Sequence, residues 1–386
     1  MGIRSGTLEG MRADKTIRLS KSCLGDLEKK AVMGVLQREY LGMGQEVQRF
    51  EQLLIEFFGR PTVCVANGTA ALQLALQAAG VGSGDEVLVQ SLTYVASFQA
   101  ISASGAIPIA CDIDPHTLTL DWRDAEKRLT PKTKAVMPVH YSGGVGALDE
   151  IYAFAQKHEL RVIEDAAHAF GTIYNGKRVG GFGDIACFSF DGIKNITSGE
   201  GGCIVTDDEE ILRKVCDARL LGVEKDTDRR YAGERSWEFN VTAQGWRYHM
   251  SNILAAIGIE QLKRFSELSR KRKKLARRYD LELSGVPGLT LLAHDYDKVI
   301  PHLYVICLPK TIERQKLRQA LSDLGIQTGV HYQPNHQLAL YGDAKVSIPL
   351  VETIYPSLLS LPMHPDLSEA DVIYVAKMVL ELIEHA

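Results

Sequence analysis

The stretch TVCVANGTAALQLALQAAG, residues 62–80, changes period in its middle. TVCVAN is short, apolar and β-rich, and GTAALQLALQAAG carries apolar residues at helical spacing. A strand that runs straight into a helix is half of a βαβ unit. The same alternation extends outward from about Gly44 to Val205. EVLVQ (86–90) precedes helix-like YVASFQAISASG, and IPIACDID (107–114) precedes WRDAEKRL. AVMPVHY (135–141) precedes LDEIYAFAQKHE, and RVIEDAA begins at Arg161. This rhythm predicts an α/β fold with a large, mostly parallel sheet and helices on both faces. After residue 184 it changes, because DIACFSF and GGCIVTD read as strands with no long helix between them.

Farther along, residues 251–279 read as one long helix, with Ile253, Ile257, Leu262, Phe265 and Leu268 at helical spacing. VICLPK, ERQKLRQALSDLG and the final EADVIYVAKMVLELIEHA then predict a compact α+β domain. The expected division is a flexible polar leader (1–16), a large domain (17–255), and the long helix with a small C-terminal domain (256–386).

Composition narrows the function class. The chain has 386 residues, 24% of them charged, and a net charge of −4. That balance offers no general attraction to nucleic acid or to an anionic membrane. The basic run SRKRKKLARR is accordingly read as a solvated helix face. No apolar run approaches the roughly 18 residues of a membrane span, and the polar N-terminus lacks the apolar core of a secretion signal. Seven scattered cysteines include no C-x-x-C pair, so they form neither a disulfide framework nor a zinc ribbon. A cytoplasmic enzyme is the expectation.

Four polar strand endings stand out, and in α/β sheets ligands collect at the carboxyl ends of strands. Asn67-Gly68-Thr69-Ala70 opens a helix, where backbone N–H groups and the helix dipole favour an anion. A plain N-cap is the alternative there. Tyr94 follows EVLVQ as a core aromatic or a stacking platform. Glu164-Asp165-Ala166-Ala167-His168 ends RVI, and Asp165 is costly to bury without a cationic partner. His168 has no second histidine at metal-ligand spacing, so no metal site is expected. In the fourth ending, SFDGIKNITSGEGG, Ser189 stands five residues before Lys194. Together they offer amides and a hydroxyl for a phosphate (Gly68, Thr69, Ser189), an aromatic face, an anion and an amine. That is the inventory required by pyridoxal 5'-phosphate.

NGTAAL, SLTYVAS, CDIDPHTLTLD, EDAAHAFG, SFDGIKNITSGEGG, MSNILAAIGIEQL and GVHYQP resemble, in order, the motifs of the DegT/DnrJ/StrS sugar aminotransferases. The resemblance covers nearly the whole chain from about Ile17. It implies a fold-type I aminotransferase architecture and homodimers with shared active sites. It also implies transfer of an amino group from glutamate to a nucleotide-linked keto-sugar.

By the same resemblance Lys194 bonds the cofactor's aldehyde and Asp165 faces its ring nitrogen. Tyr94 stacks on the ring, while Gly68, Thr69 and Ser189 hold the phosphate. His168 stands where many relatives carry Gln, near the cofactor's phenolic oxygen. The lysine disfavours a dehydratase, since dehydratase relatives carry His at its position. One loop departs from the family pattern: Gly245-Trp246-Arg247-Tyr248-His249-Met250-Ser251 replaces Gly-Tyr-Asn-Tyr-Arg-Met-Thr. By the resemblance, Asn240 or Arg247 is expected to reach a neighbouring subunit's cofactor phosphate. His249, His331 and Tyr332 are expected near the substrate. The form Lys-x-x-Thr-x-Gly-Glu-Gly-Gly at residues 194–202 resembles relatives that aminate C4 of a 6-deoxy-4-keto-hexose, here expected on dTDP. A 3-keto-sugar aminotransferase, or another fold-type I enzyme, is the alternative.

Overall fold

The computed structural model describes residues 16–342 and 346–385. In chain order the strands of its first part are β1 (Thr62–Val65), β2 (Glu86–Gln90), β3 (Ile107–Cys111), β4 (Thr133–Met137), β5 (Arg161–Asp165), β6 (Ile173–Tyr174), β7 (Lys177–Arg178), β8 (Ile185–Ser189) and β9 (Gly202–Val205). Strands β6 and β7 form a separate hairpin, and the others make a seven-stranded sheet ordered β1-β9-β8-β5-β4-β2-β3. Strand β9 runs antiparallel to β1 and β8, and the remaining four pairings are parallel. The change of rhythm after residue 184 is this reversal. A parallel neighbour needs a long crossover, and the loop that carries Lys194 supplies none.

Successive strand residues face opposite sides of the sheet. Ile163, Ile185 and Cys187 join Val63, Val65, Val87 and Val89 in a core with the helices Gly68–Ala78 and Val95–Ala103. Their sequence neighbours Ala186 and Phe188 pack with Phe50 and Leu54, and Val162 packs with Ile151 and Phe154. Helices therefore cover both faces, which is why these strands read as continuous apolar runs. By the same parity, Asp165 and Ser189 belong to the face of helix Gly68–Ala78.

The last third holds an antiparallel sheet of β10 (Thr290–Leu291), β11 (Tyr304–Cys307) and β12 (Leu358–Leu361). Its core takes Leu317 and Leu321 from the helix Arg314–Asp323, and Val372, Val375 and Val379 from the helix Glu369–Glu384. The single helix expected over residues 251–279 is two helices, Asn252–Lys263 and Phe265–Leu283, parted at Arg264. The reason is packing. Ala255 and Ile259 belong to a main-sheet core, whereas Leu275, Ala276 and Tyr279 belong to the small-sheet core. The break lets the apolar stripe change partner.

Most of the basic run is neutralised locally. Lys271 pairs with Glu267, Lys274 with Glu369, Arg277 with Asp297 and Arg278 with Glu282. Arg272 departs from the expected solvated face, being buried. The expected leader lies outside the described residues except for Thr16. No helix among the described residues is long and apolar enough to cross a membrane.

Candidate active site

Strand β1 leads into Asn67, whose side-chain oxygen accepts the Ala70 N–H at 2.8 Å and caps the helix Gly68–Ala78. The N–H groups of Gly68 and Thr69 stand in its first turn, where no intrahelical acceptor exists and the dipole is positive. A Cβ on Gly68 would come within 2.8 Å of the Ser189 Cβ. Glycine thus lets the helix start sit against the end of β8. The three phosphate candidates are neighbours.

Asp165 closes β5 and is 6% exposed. Its Oδ2 accepts from Ser97 Oγ at 2.7 Å and its Oδ1 from the Ala167 N–H at 3.2 Å. The sequence expects a cation beside this carboxylate. The structure supplies neutral donors instead, and among the described residues no cation lies within ion-pair distance. On the opposite face of β5, Glu164 meets His140 Nε2 at 2.6 Å and accepts from Tyr152 Oη at 2.6 Å. That fully buried pair holds the strand that presents Asp165.

Lys194 lies in the loop between β8 and β9, its N–H bonded to the Asp191 carbonyl at 3.1 Å. Its Nζ is 3.5 Å from His302 Nε2. Burial lowers the Lys194 amine from the usual lysine range to about 8, against the opposing pull of Asp165 and Asp191. Burial first, and the Lys194 charge next, hold His168 and His302 well below the ordinary histidine value. Both imidazoles are therefore neutral, with ring centroids 4.4 Å apart. Tyr332 Oη contacts His168 Nε2 at 3.0 Å, and its ring lies 5.5 Å from the exposed Tyr94 ring. His331 Nδ1 contacts Ser360 Oγ at 2.7 Å, while Tyr141 Oη donates to the His331 carbonyl.

Lys194, Asp165, His168, Tyr332 and Tyr94 thus share one neighbourhood, which His302 and Ser97 join although sequence reasoning missed both. Ser97 carried a signal, since three residues past Tyr94 it falls in the first turn of a helix after a strand end. His302 carried only its place in VIPHLYVI, just ahead of a strand.

The loop residues stand apart. Asn240 and Arg247 are exposed. His249 pairs with Val65 along the edge of β1, and burial, then the nearby Arg247, lower it to about 4. Among the described residues no hydrogen bond, ion pair or ring contact joins these three to Lys194, Asp165 or His168. Around them Trp237 is 85% and Phe239 60% exposed.

A partly buried amine titrating near neutrality, a buried carboxylate and an anion-binding helix start, at the ends of parallel strands, define a site for an aldehyde cofactor with a phosphate. Residues 22–380 match the model of the DegT/DnrJ/EryC1/StrS aminotransferase family, and the chain belongs to that family. It is 38% identical over 373 residues to the spore coat polysaccharide biosynthesis protein SpsC of Bacillus subtilis, covering 94% of this chain and 96% of SpsC. Helicobacter pylori PseC, an aminotransferase involved in pseudoaminic acid biosynthesis, superposes with a TM-score of 0.88 at 30% identity. That match covers 96% of this chain and 100% of PseC. The PLP form of Spr1654 from Streptococcus pneumoniae gives 0.89 at 29% identity, covering 96% and 99%. The protein is a pyridoxal phosphate-dependent sugar aminotransferase with the aminotransferase α/β fold.

The residues fit that cofactor. Asp165 accepts only neutral donors, His168 Nδ1 is buried without a hydrogen-bond partner among the described residues, and Gly68 brings the helix start against Ser189.

Proposed function

We propose that the enzyme moves the amino group of glutamate onto C4 of a nucleotide-linked 4-keto-6-deoxyhexose, with dTDP as the carrier. The observation that carries the amine transfer is the approach of Lys194 Nζ to a neutral His302 beside a buried Asp165. When bound, pyridoxal phosphate supplies an electron sink that lets a C–H bond beside nitrogen lose its proton. Lys194 would hold the cofactor, and its freed Nζ, neutral above about pH 8, would carry that proton from carbon to carbon. Asp165 would face the ring nitrogen and keep it protonated. Gly68, Thr69 and Ser189 would hold the phosphate, and Tyr94 would cover the ring. His168 would stand at the phenolic oxygen, with Tyr332 and His331 toward the sugar.

The position of amination is supported by the segment Lys194–Gly202, where Thr197 Oγ1 accepts the Gly199 N–H at 2.8 Å and shapes the turn beside the amine. The printed name of SpsC, a polysaccharide biosynthesis protein, agrees with a sugar destined for a surface polymer. A second copy of the chain is proposed to complete the site through Asn240 and Arg247. The exposed Trp237 and Phe239 beside them favour a covered surface.

The test offers purified enzyme, glutamate, and the 3-keto and 4-keto forms of a dTDP-6-deoxyhexose, and locates the new amine by NMR. Amine at C4 is the expected product. Amination confined to C3 would refute the assignment.

A further inference from the structure

Arg272 belongs to the basic run yet is 1% exposed. Its Nη1 donates to the carbonyl oxygens of Pro301 at 3.4 Å, His302 at 3.2 Å and Met363 at 3.4 Å. Its Nη2 donates to those of Ile193 at 3.3 Å and Lys194 at 3.4 Å. One guanidinium therefore gathers three chain segments: the Lys194 loop, the segment entering β11 and the segment leaving β12. Among the described residues no carboxylate lies within ion-pair distance of it. Burying a cation without a counter-charge is costly, and burial lowers this guanidinium to about 10. Two of the five carbonyls belong to Lys194 and His302, the residues whose side chains meet at 3.5 Å.

We propose that Arg272 is a positioning residue whose fork holds the main chains of Lys194 and His302 in one frame, and so sets the approach of Nζ to the imidazole. The kinetic consequence rests on Lys194 being the reacting amine; the geometry does not. A lysine at this position keeps the charge, but a compact ammonium cannot span three segments as a planar five-donor fork does. A loosened frame admits water to Lys194 and returns its amine toward the ordinary lysine range.

The experiment uses the full-length Arg272→Lys protein, checked for folding by circular dichroism. Cofactor-free protein is labelled with acetic anhydride across a pH series, and modification of Lys194 is read by mass spectrometry. An amine titrating at about 8 is about half neutral at pH 8, and one titrating a unit higher about one-tenth neutral. Labelling at pH 8 should therefore slow about fivefold in the variant. In the loaded enzyme kcat should fall on the order of tenfold, with KM for glutamate within about twofold.

A folded variant whose labelling midpoint matches the wild type overturns the proposal. A shifted midpoint with unchanged kcat upholds the frame and instead sinks Lys194 as the reacting amine. A measurement on the wild-type loaded enzyme decides the matter should the variant not fold. The amides of Lys194 and His302, bonded to the Asp191 and Ser142 carbonyls at 3.1 Å each, should exchange with deuterium through one common opening. Independent openings overturn the proposal.

Discussion

Lys194 Nζ and His302 Nε2 stand 3.5 Å apart although 108 residues separate them in the chain. One comes from the loop after β8, the other from the segment entering β11. Burial lowers the Lys194 amine to about 8 and holds His302 well below the ordinary histidine value, so at neutral pH a neutral imidazole faces an amine that is still mostly protonated and turns neutral above about pH 8. Above that pH Nζ has a free electron pair, as the role proposed for Lys194 requires.

Replacing Lys194 by Ala should abolish turnover and remove the visible absorption of the loaded enzyme. A variant that keeps even a few per cent of steady-state turnover without added amine would contradict the role given to Lys194. The same amine sets a pH dependence. Its proton leaves at about 8, below the usual lysine range, so it is a nucleophile above that pH and a cation below it. Cofactor-free protein given pyridoxal phosphate should develop its visible band faster as pH rises, levelling off above about 8. Stopped-flow absorbance checks this, and a rate still climbing near the ordinary lysine value would contradict it.

Asp165→Asn replaces the anion with an amide that cannot hold a proton on the ring nitrogen. We expect a loss on the order of 10³-fold in kcat, equivalent to about 4 kcal/mol of barrier. Ser97→Ala removes the 2.7 Å donor to Asp165, together with the 2.9 Å contact to Thr93 Oγ1, and should cost on the order of tenfold. An Asp165→Asn enzyme of normal rate and full cofactor occupancy would place the ring nitrogen elsewhere.

The parallel sheet and its reversal were legible because β1 to β5 alternate cleanly with helices, and because DIACFSF and GGCIVTD lack a crossover between them. The positions of Asp165, Ser189 and Gly68 were legible for a related reason: each ends a strand or begins a helix, and Lys194 follows in the loop just after the end of β8. His302 was not, since only tertiary folding brings the approach to β11 beside the Lys194 loop. Arg272 was hidden inside a run whose other charges do face solvent. The helix break at Arg264 was also invisible, because two apolar stripes serving different cores read as one. The helices Asp26–Gln37 and Gln45–Phe58 were overlooked, although Val47, Phe50, Leu54 and Phe58 in the second follow a helical period.

Acid should destabilise this protein. Burial holds His294 and His331 at about 4, and His168 and His302 well below the ordinary histidine value. An unfolded histidine takes a proton near pH 6.5, whereas these folded ones do not. Stability is therefore complete above about pH 6.5 and is lost as pH falls toward the folded values. Each such histidine contributes up to about 1.4 kcal/mol per pH unit. Between pH 7 and pH 5 the melting temperature should drop on the order of 10 °C. Differential scanning calorimetry in matched ionic strength measures it, and a flat profile would mean that water reaches these rings.

The loop that carries Arg247 does not reach the site of its own chain among the described residues. Arg247 is exposed and, among the described residues, touches neither Lys194 nor Asp165, yet a fork-shaped cation suits a phosphate. If a second copy donates it, each site draws Lys194 from one protomer and Arg247 from the other. A Lys194→Ala chain then lacks the amine in its own site but can still lend Arg247. An Arg247→Glu chain keeps the amine but repels its partner's phosphate. Each homodimer should be inactive, whereas a mixed dimer contains one site with both residues intact. Co-expression under two affinity tags and tandem purification isolates that dimer, whose activity should approach half the wild-type value per dimer. A heterodimer that forms and stays inactive would mean that Arg247 serves no partner site.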